Sequence, residues 1–345
     1  MQNLPYIFGR LQISVVCHSP RLSFFSETLP IVALSTTKDT MAAVSASLVA
    51  PAQRVTARRA RPTAARGARS PLRVAAAASI AEIKGTGDLP AVKLTSADGC
   101  TATAYLFGGV VTSFTKPDGR EVLYVRPDAV FDKSKPISGG LPHCWPQFGP
   151  GDIQVHGFAR NVDWELTKKT EGSNPSVEMT LLPSDYTKAM WDKDFKVTQT
   201  ITLGDGKLKA TLKVTNPGEE AFTFTGSFHT YFAADIDEVA VTGLKGVKGT
   251  DRLKDEALTV AGALTMSGPV DSCYYDVPSV INLAVGGGES VAVESQGGWS
   301  DAVVWTPWTD MEACYKEFVC VENAACKEPV SVPAGGEWEA STILA

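Results

Sequence analysis

From Val177 to Gly226 apolar side chains return at every second position, in short runs separated by turns. Val177, Met179 and Leu181 alternate with polar neighbours, and Phe195, Val197, Ile201 and Leu203 share odd positions. Gly204-Asp205-Gly206 turns the chain, Leu208, Ala210, Leu212 and Val214 answer, and Asn216-Pro217-Gly218 turns it again into 221–226. A period of two suits a strand with one buried face and cannot line one side of a helix, so this stretch demands antiparallel sheet. The same grammar starts earlier: Ala102 to Phe107, Gly108-Gly109, Val110 to Phe114, then Pro117-Asp118-Gly119-Arg120 as a hairpin turn before Glu121 to Val125. One exception is Ser184 to Trp191, which reads as a short helix capped by Ser184 or Asp185. No repeat or internal linker divides the body, so one large all-β domain of two packed sheets is expected.

The first 78 residues are of another kind. They carry ten Lys and Arg against Glu27 and Asp39, a net charge of +8, which leaves −14 on residues 79–345 of a chain totalling −6. An acidic body gives no electrostatic case for nucleic acid. Between Met41 and Ile80 there are seven arginines and no acid among Ala, Ser, Val, Thr and Pro, which is transit-peptide composition. Residues 1–78 are therefore expected to be a leader, Ala75 to Ser79 a cleavage region, and the chloroplast stroma the destination, with the mitochondrion as alternative. No apolar run reaches the length of a membrane span. The seven cysteines are odd in number and scattered, without metal-ligand spacing, and read as buried free thiols of a reducing compartment.

Ser138 to Trp164, SGGLPHCWPQFGPGDIQVHGFARNVDW, crowds Gly, Pro, aromatics, two histidines and one arginine into irregular chain. That density excludes a helix or central strand and suits a loop presenting side chains from a fixed scaffold. Two further segments stand out: Ser227 to Phe232, SFHTYF, and Phe318 to Asn323, FVCVEN, which sets Glu322 after apolar Val319 and Val321. Three histidines lie beyond residue 78. His143, beside Cys144, reads as a packing residue. His156 has Arg160 four residues on, and His229 sits among Phe228, Tyr231 and Phe232, where an apolar wall would tune its pKa. Walker, dinucleotide, GxSxG and HExxH signatures are absent. What remains is histidine and carboxylate acid–base work without a metal or coenzyme. Trp145, Phe148, Trp305 and Trp308 could stack on a sugar ring or fill the core, and core is expected for at least two.

GGLPHCWPQFGP, HGFARNVDW, FHTYF with its DIDEV tail, VVWTPW and VCVEN, in that order, resemble the glucose-6-phosphate 1-epimerases, the hexose-phosphate mutarotase branch of the aldose 1-epimerase superfamily. The resemblance spans Ile83 to Leu344 and is nearest to plant and algal plastid members. It implies a galactose mutarotase-like, large antiparallel β-supersandwich, a monomer acting on a sugar phosphate. It further implies His229 as general acid, Glu322 as general base, and His156, Arg160, Asp271 and Gln154 as substrate-binding groups. Two positions depart from the pattern: Ser138 replaces the arginine of RGG(I/L)P, and Val155 replaces a glutamine before the HGFAR histidine. One serine hydroxyl cannot replace a bidentate arginine–phosphate contact, which leaves Arg160, with Lys133 or Lys135, to supply charge. The rival expectation is a non-catalytic carbohydrate-binding or assembly subunit that kept the fold.

Overall fold

The computed structural model describes residues 77–345. The expected leader, with its cleavage region and address, lies outside the described residues but for its last few positions. Among the described residues the strands form three antiparallel sheets of four, eight and nine strands, and no helix is long and apolar enough to cross a membrane.

The alternating run builds the centre of the nine-stranded sheet. Lys196–Gly204 and Lys207–Thr215 pair across a two-residue turn whose central residues, Asp205 and Gly206, both have positive φ (54° and 70°). That turn matches the natural twist of two antiparallel strands. Along both strands every second residue is buried. The break in the apolar series at Gln199 has a cause: its amide is fully buried and its Oε1 lies 3.1 Å from Nε2 of His143. His143 also lies 3.3 Å from the Gly109 carbonyl and stacks on Trp164, so it is a packing histidine as the sequence suggests. The short helix forms at Asp185–Met190, where Ser184 and Thr187 satisfy each other's backbone amides in a reciprocal cap.

The eight-stranded sheet packs its inner face on the nine-stranded one. Phe224, Phe228, Val319 and Val321 meet Leu212, Val214 and Val293 in one core, with Phe224 against Trp338 at 5.1 Å and Phe228 against Trp299 at 5.6 Å. A polar tie crosses it: Asn323 donates to Ser295 Oγ (2.5 Å) and accepts from Thr342 (2.9 Å). These residues alternate along the strand Phe318–Val332. Val319, Val321 and Asn323 face the other sheet, while Phe318, Cys320 and Ala324 belong to separate clusters on the opposite face. Glu322 falls on that opposite face by the same period of two.

Candidate active site

Glu322 lies in the first half of the strand Phe318–Val332, paired with Val303 on one side and flanked by Ser227 on the other, and is 1% exposed. Ser227 Oγ donates to its Oε2 at 2.7 Å. Its Oε1 lies 3.5 Å from Nδ1 of His229. His229 follows the end of the strand Phe222–Phe228, with its backbone amide bonded to the Pro142 carbonyl. Its ring stacks on Tyr231 at 4.9 Å and meets the edges of Trp305 and His156. Burial pushes the Glu322 carboxyl well above its ordinary range. Burial, then the neighbouring His156 and Arg160, push the His229 imidazole well below its own. Both shifts favour uncharged forms, as expected for ionisable groups removed from water.

The loop that carries His156 is built around one side chain. Gln147 reaches inward, its amide nitrogen donating to the carbonyls of Gly149 (3.0 Å) and Ile153 (3.2 Å) while its oxygen accepts from the Ile153 amide. His156 has φ +66° and closes the loop on Gly149: its amide donates to the Gly149 carbonyl, and its Nδ1 accepts from the Gly149 amide at 3.1 Å. With Nδ1 accepting, the proton of the neutral ring sits on Nε2, a donor for a ligand oxygen. Burial, then Arg160 and Arg252, lower its pKa to about 3. Gly157 follows at φ +69°, where a Cβ would strike the Trp145 carbonyl, so only glycine fits this turn.

A cleft of ≈ 270 Å³ joins these groups. His156, Arg160, His229, Asp271 and Glu322 all line it, so five of the six residues named from the sequence come together. Gln154 does not, which corrects its assignment as a sugar ligand. Its amide is committed to the Gly157 carbonyl and Asn161, and its oxygen to the Tyr186 hydroxyl, so it braces the loop from behind. Phe148 and Trp305 line the cleft, whereas Trp145 is fully buried and Trp308 lies outside the lining.

Two cations that sequence reasoning missed complete the wall, Arg126 and Arg252. Arg252 lies 3.4 Å from Asp271 and over the Phe148 ring at 5.1 Å. Arg126 stands directly across from Ser138: Val125 bridges Gly139, and the Arg126 amide donates to the Ser138 carbonyl at 3.0 Å. Arg126 so brings a guanidinium to the cleft from the segment beside position 138. Asp128 holds it through Nε (2.9 Å) and Nη2 (2.5 Å). Lys133 instead pairs with Asp163 at 2.7 Å, and neither it nor Lys135 lines the cleft. A signal did exist in the sequence. Residues 79–345 hold four arginines, 120, 126, 160 and 252, against eighteen lysines. Three of those four line this one cleft.

The eight- and nine-stranded antiparallel sheets pack face to face, and the outer face of the eight-stranded one carries a buried imidazole–carboxylate pair, an acid–base site open to a cleft. The sequence pattern of the aldose 1-epimerases matches residues 90–345, and the chain belongs to that family. A Cenchrus ciliaris protein provisionally named glucose-6-phosphate 1-epimerase is 35% identical over 283 residues, covering 76% of this chain and 86% of its own. An Escherichia coli K12 protein of the same provisional name is 33% identical over 236 residues, covering 63% and 77%. The crystal structure of a Salmonella typhimurium protein provisionally described as a mutarotase superposes with a TM-score of 0.70 at 24% identity, over 78% of this chain and 93% of that one. The likeness in structure bears out the mutarotase-like fold.

Proposed function

We propose that this epimerase interconverts the α and β anomers of a hexose 6-phosphate, with glucose 6-phosphate as the foremost substrate. One observation carries the reading: the His229–Glu322 pair and three of the four arginines of residues 79–345 share a single cleft. Relatives named for the same substrate support it.

Anomerisation opens a cyclic hemiacetal, which requires a proton to leave the C1 hydroxyl and another to reach the ring oxygen. In this reading Glu322 takes the first and His229 gives the second; rotation about C1–C2 and closure reverse both transfers. Burial favours a protonated carboxyl beside a neutral imidazole. That state holds the same single proton as a carboxylate beside an imidazolium, so a shift of one proton across 3.5 Å interchanges acid and base. Each positioned acid or base contributes about 10² to 10⁴ in rate. Tyr231 and Trp305 wall the imidazole against competing water. His156 and Asp271 hold sugar hydroxyls as donor and acceptor, and Arg126, Arg160 and Arg252 receive the phosphate dianion as charge-assisted donors.

The test follows freshly dissolved α-glucose 6-phosphate, α-glucose and α-galactose by NMR with wild-type protein, His229→Ala and Glu322→Gln. Acceleration of the phosphorylated sugar, lost in both variants, supports the assignment. A folded wild-type protein that accelerates none of the three overturns it. The arginine-rich, acid-free composition of residues 41–80 supports a plastid address, testable by fusing residues 1–80 to a fluorescent protein. Exclusion of that fusion from plastids would reject it.

A further inference from the structure

Beneath the cleft lie two thiols that the acid–base chemistry does not use. Cys273 belongs to the strand Val270–Tyr274, two residues beyond Asp271 and on the same face. It pairs with Val303, which pairs with Glu322, so the thiol and the carboxylate end one row across three strands. Cys326 lies four residues beyond Glu322, inside the irregular stretch between Ala325 and Val330 where the strand Phe318–Val332 loses register with its neighbour. There the chain folds over the end of the intervening strand. Asp301, 1% exposed, accepts the amides of Cys326 (2.9 Å) and Lys327 (2.8 Å) on one oxygen and that of Asp276 (3.4 Å) on the other. Lys327 then pairs with Asp276 at 3.0 Å and lies over Tyr275 at 5.4 Å. These contacts bind the segment after Cys273 to the segment after Cys326. Cys326 packs against the buried cluster of Cys273, Val303 and Ala324, and both thiols are free.

We propose that Cys273 and Cys326 form a reversible disulfide, a thiol-modification site under the cleft that couples redox state to the placement of Asp271 and Arg252 opposite Glu322. Among the cysteines of the described residues, Cys326 alone is not buried, so the pair is the one that a solvent oxidant can reach. Burial raises the Cys100 thiol to about 11 and the Cys144 thiol to about 12, so those sites are poor nucleophiles. Cys326 is partly exposed and gives access from solvent.

With a glutathione disulfide as oxidant the step balances. The accessible Cys326, as thiolate, attacks one sulfur and expels a glutathione thiolate. Cys273, giving up its proton, then attacks the Cys326 sulfur and expels the second, so two protein electrons reduce the oxidant to two thiols. Closure ties the strand bearing Asp271 covalently to the chain beyond Glu322. Arg252, paired with Asp271 at 3.4 Å, moves with that strand.

The experiment titrates the reduced full-length chain with oxidised glutathione, alkylates the remaining thiols, maps the peptides by mass and measures anomerisation of glucose 6-phosphate. The expected product is one intramolecular cross-link between the Cys273 and Cys326 peptides, absent in Cys326→Ser. Its closure should slow anomerisation roughly tenfold to a hundredfold, as a misplacement of about 1 Å does, and dithiothreitol should restore the rate. Full alkylation of both cysteines after oxidation, or glutathione adducts without a cross-link, overturns the bond. A cross-link with an unchanged rate overturns the coupling. The rate arm rests on the epimerase reading and the peptide map does not. A reduced protein inactive on every sugar would therefore count against that reading while the map still decides the disulfide.

Discussion

Nδ1 of His229 and Oε1 of Glu322 face each other at 3.5 Å inside the protein, with Ser227 bonded to the other carboxylate oxygen. A carboxyl held in this way has a stability cost that depends on pH. Its folded pKa is raised, so the stability of its neutral form is fully present below about pH 4.5 and is lost as pH rises through the folded value. Glu322→Gln removes the titration and keeps the shape. The variant should lose about 10² to 10⁴ in rate while being more stable than wild type at pH 8, with the stability gap closing toward pH 4.5. Urea unfolding at the two pH values checks this; equal stability throughout would mean that the carboxyl is not held neutral.

The cation wall predicts a split between substrates. Arg126→Ala removes a guanidinium that lines the cleft and leaves the His229–Glu322 pair untouched. A hydrogen bond to a charged group contributes about 1.5 to 3 kcal/mol, so KM for glucose 6-phosphate should rise roughly tenfold to a hundredfold, with kcat nearly unchanged and any turnover of free glucose unaffected. Steady-state kinetics on both sugars, at two salt concentrations, provide the measurement. An equal loss on both sugars would assign Arg126 to the scaffold.

Much of this was legible in the chain, and the division has a physical pattern. Strand alternation is local, so the hairpin Lys196–Thr215 and the outward placement of Glu322 follow from a period of two. His229 and His156 announced themselves by dense local motifs. Arg252 and Arg126 did not, because each stands alone in ordinary chain, and it is sheet pairing far along the sequence that carries them to the cleft. Gln154 misled for the complementary reason: its neighbour His156 lines the site, but its own amide turns back into the loop. Spacing cannot report which way a loop side chain points. Cys273 and Cys326, 53 positions apart, meet only because a bulge folds one strand over another.

His143 offers a stability measurement separate from catalysis. Burial lowers its pKa from 6.5 to about 4. A lowered folded pKa contributes stability that is present above pH 6.5 and is lost as pH falls toward 4, at about 1.4 kcal/mol per pH unit for one proton. His143→Gln should be less stable than wild type at pH 7, since Gln199 and the Trp164 stack lose their ring partner. Its stability should nevertheless fall less steeply between pH 6.5 and 4.5, by about one proton's slope. Parallel slopes for the two proteins would show that His143 is protonated without cost.

Ser227 tests whether the carboxylate is tuned by its own hydrogen bond. Its hydroxyl donates at 2.7 Å to Oε2 of Glu322, a contact that lowers the carboxyl pKa against the larger, opposite effect of burial. Removing a donor from the charged form leaves desolvation less opposed, so in Ser227→Ala the Glu322 pKa should rise further. If Glu322 takes the C1 proton as carboxylate, the rising limb of the rate against pH must then move to higher pH. Neutral-pH activity should fall and recover on the alkaline side, and Ser227→Thr, which keeps the hydroxyl, should restore the wild-type profile. A purely structural role would lower the rate equally at every pH and leave the limb where it was.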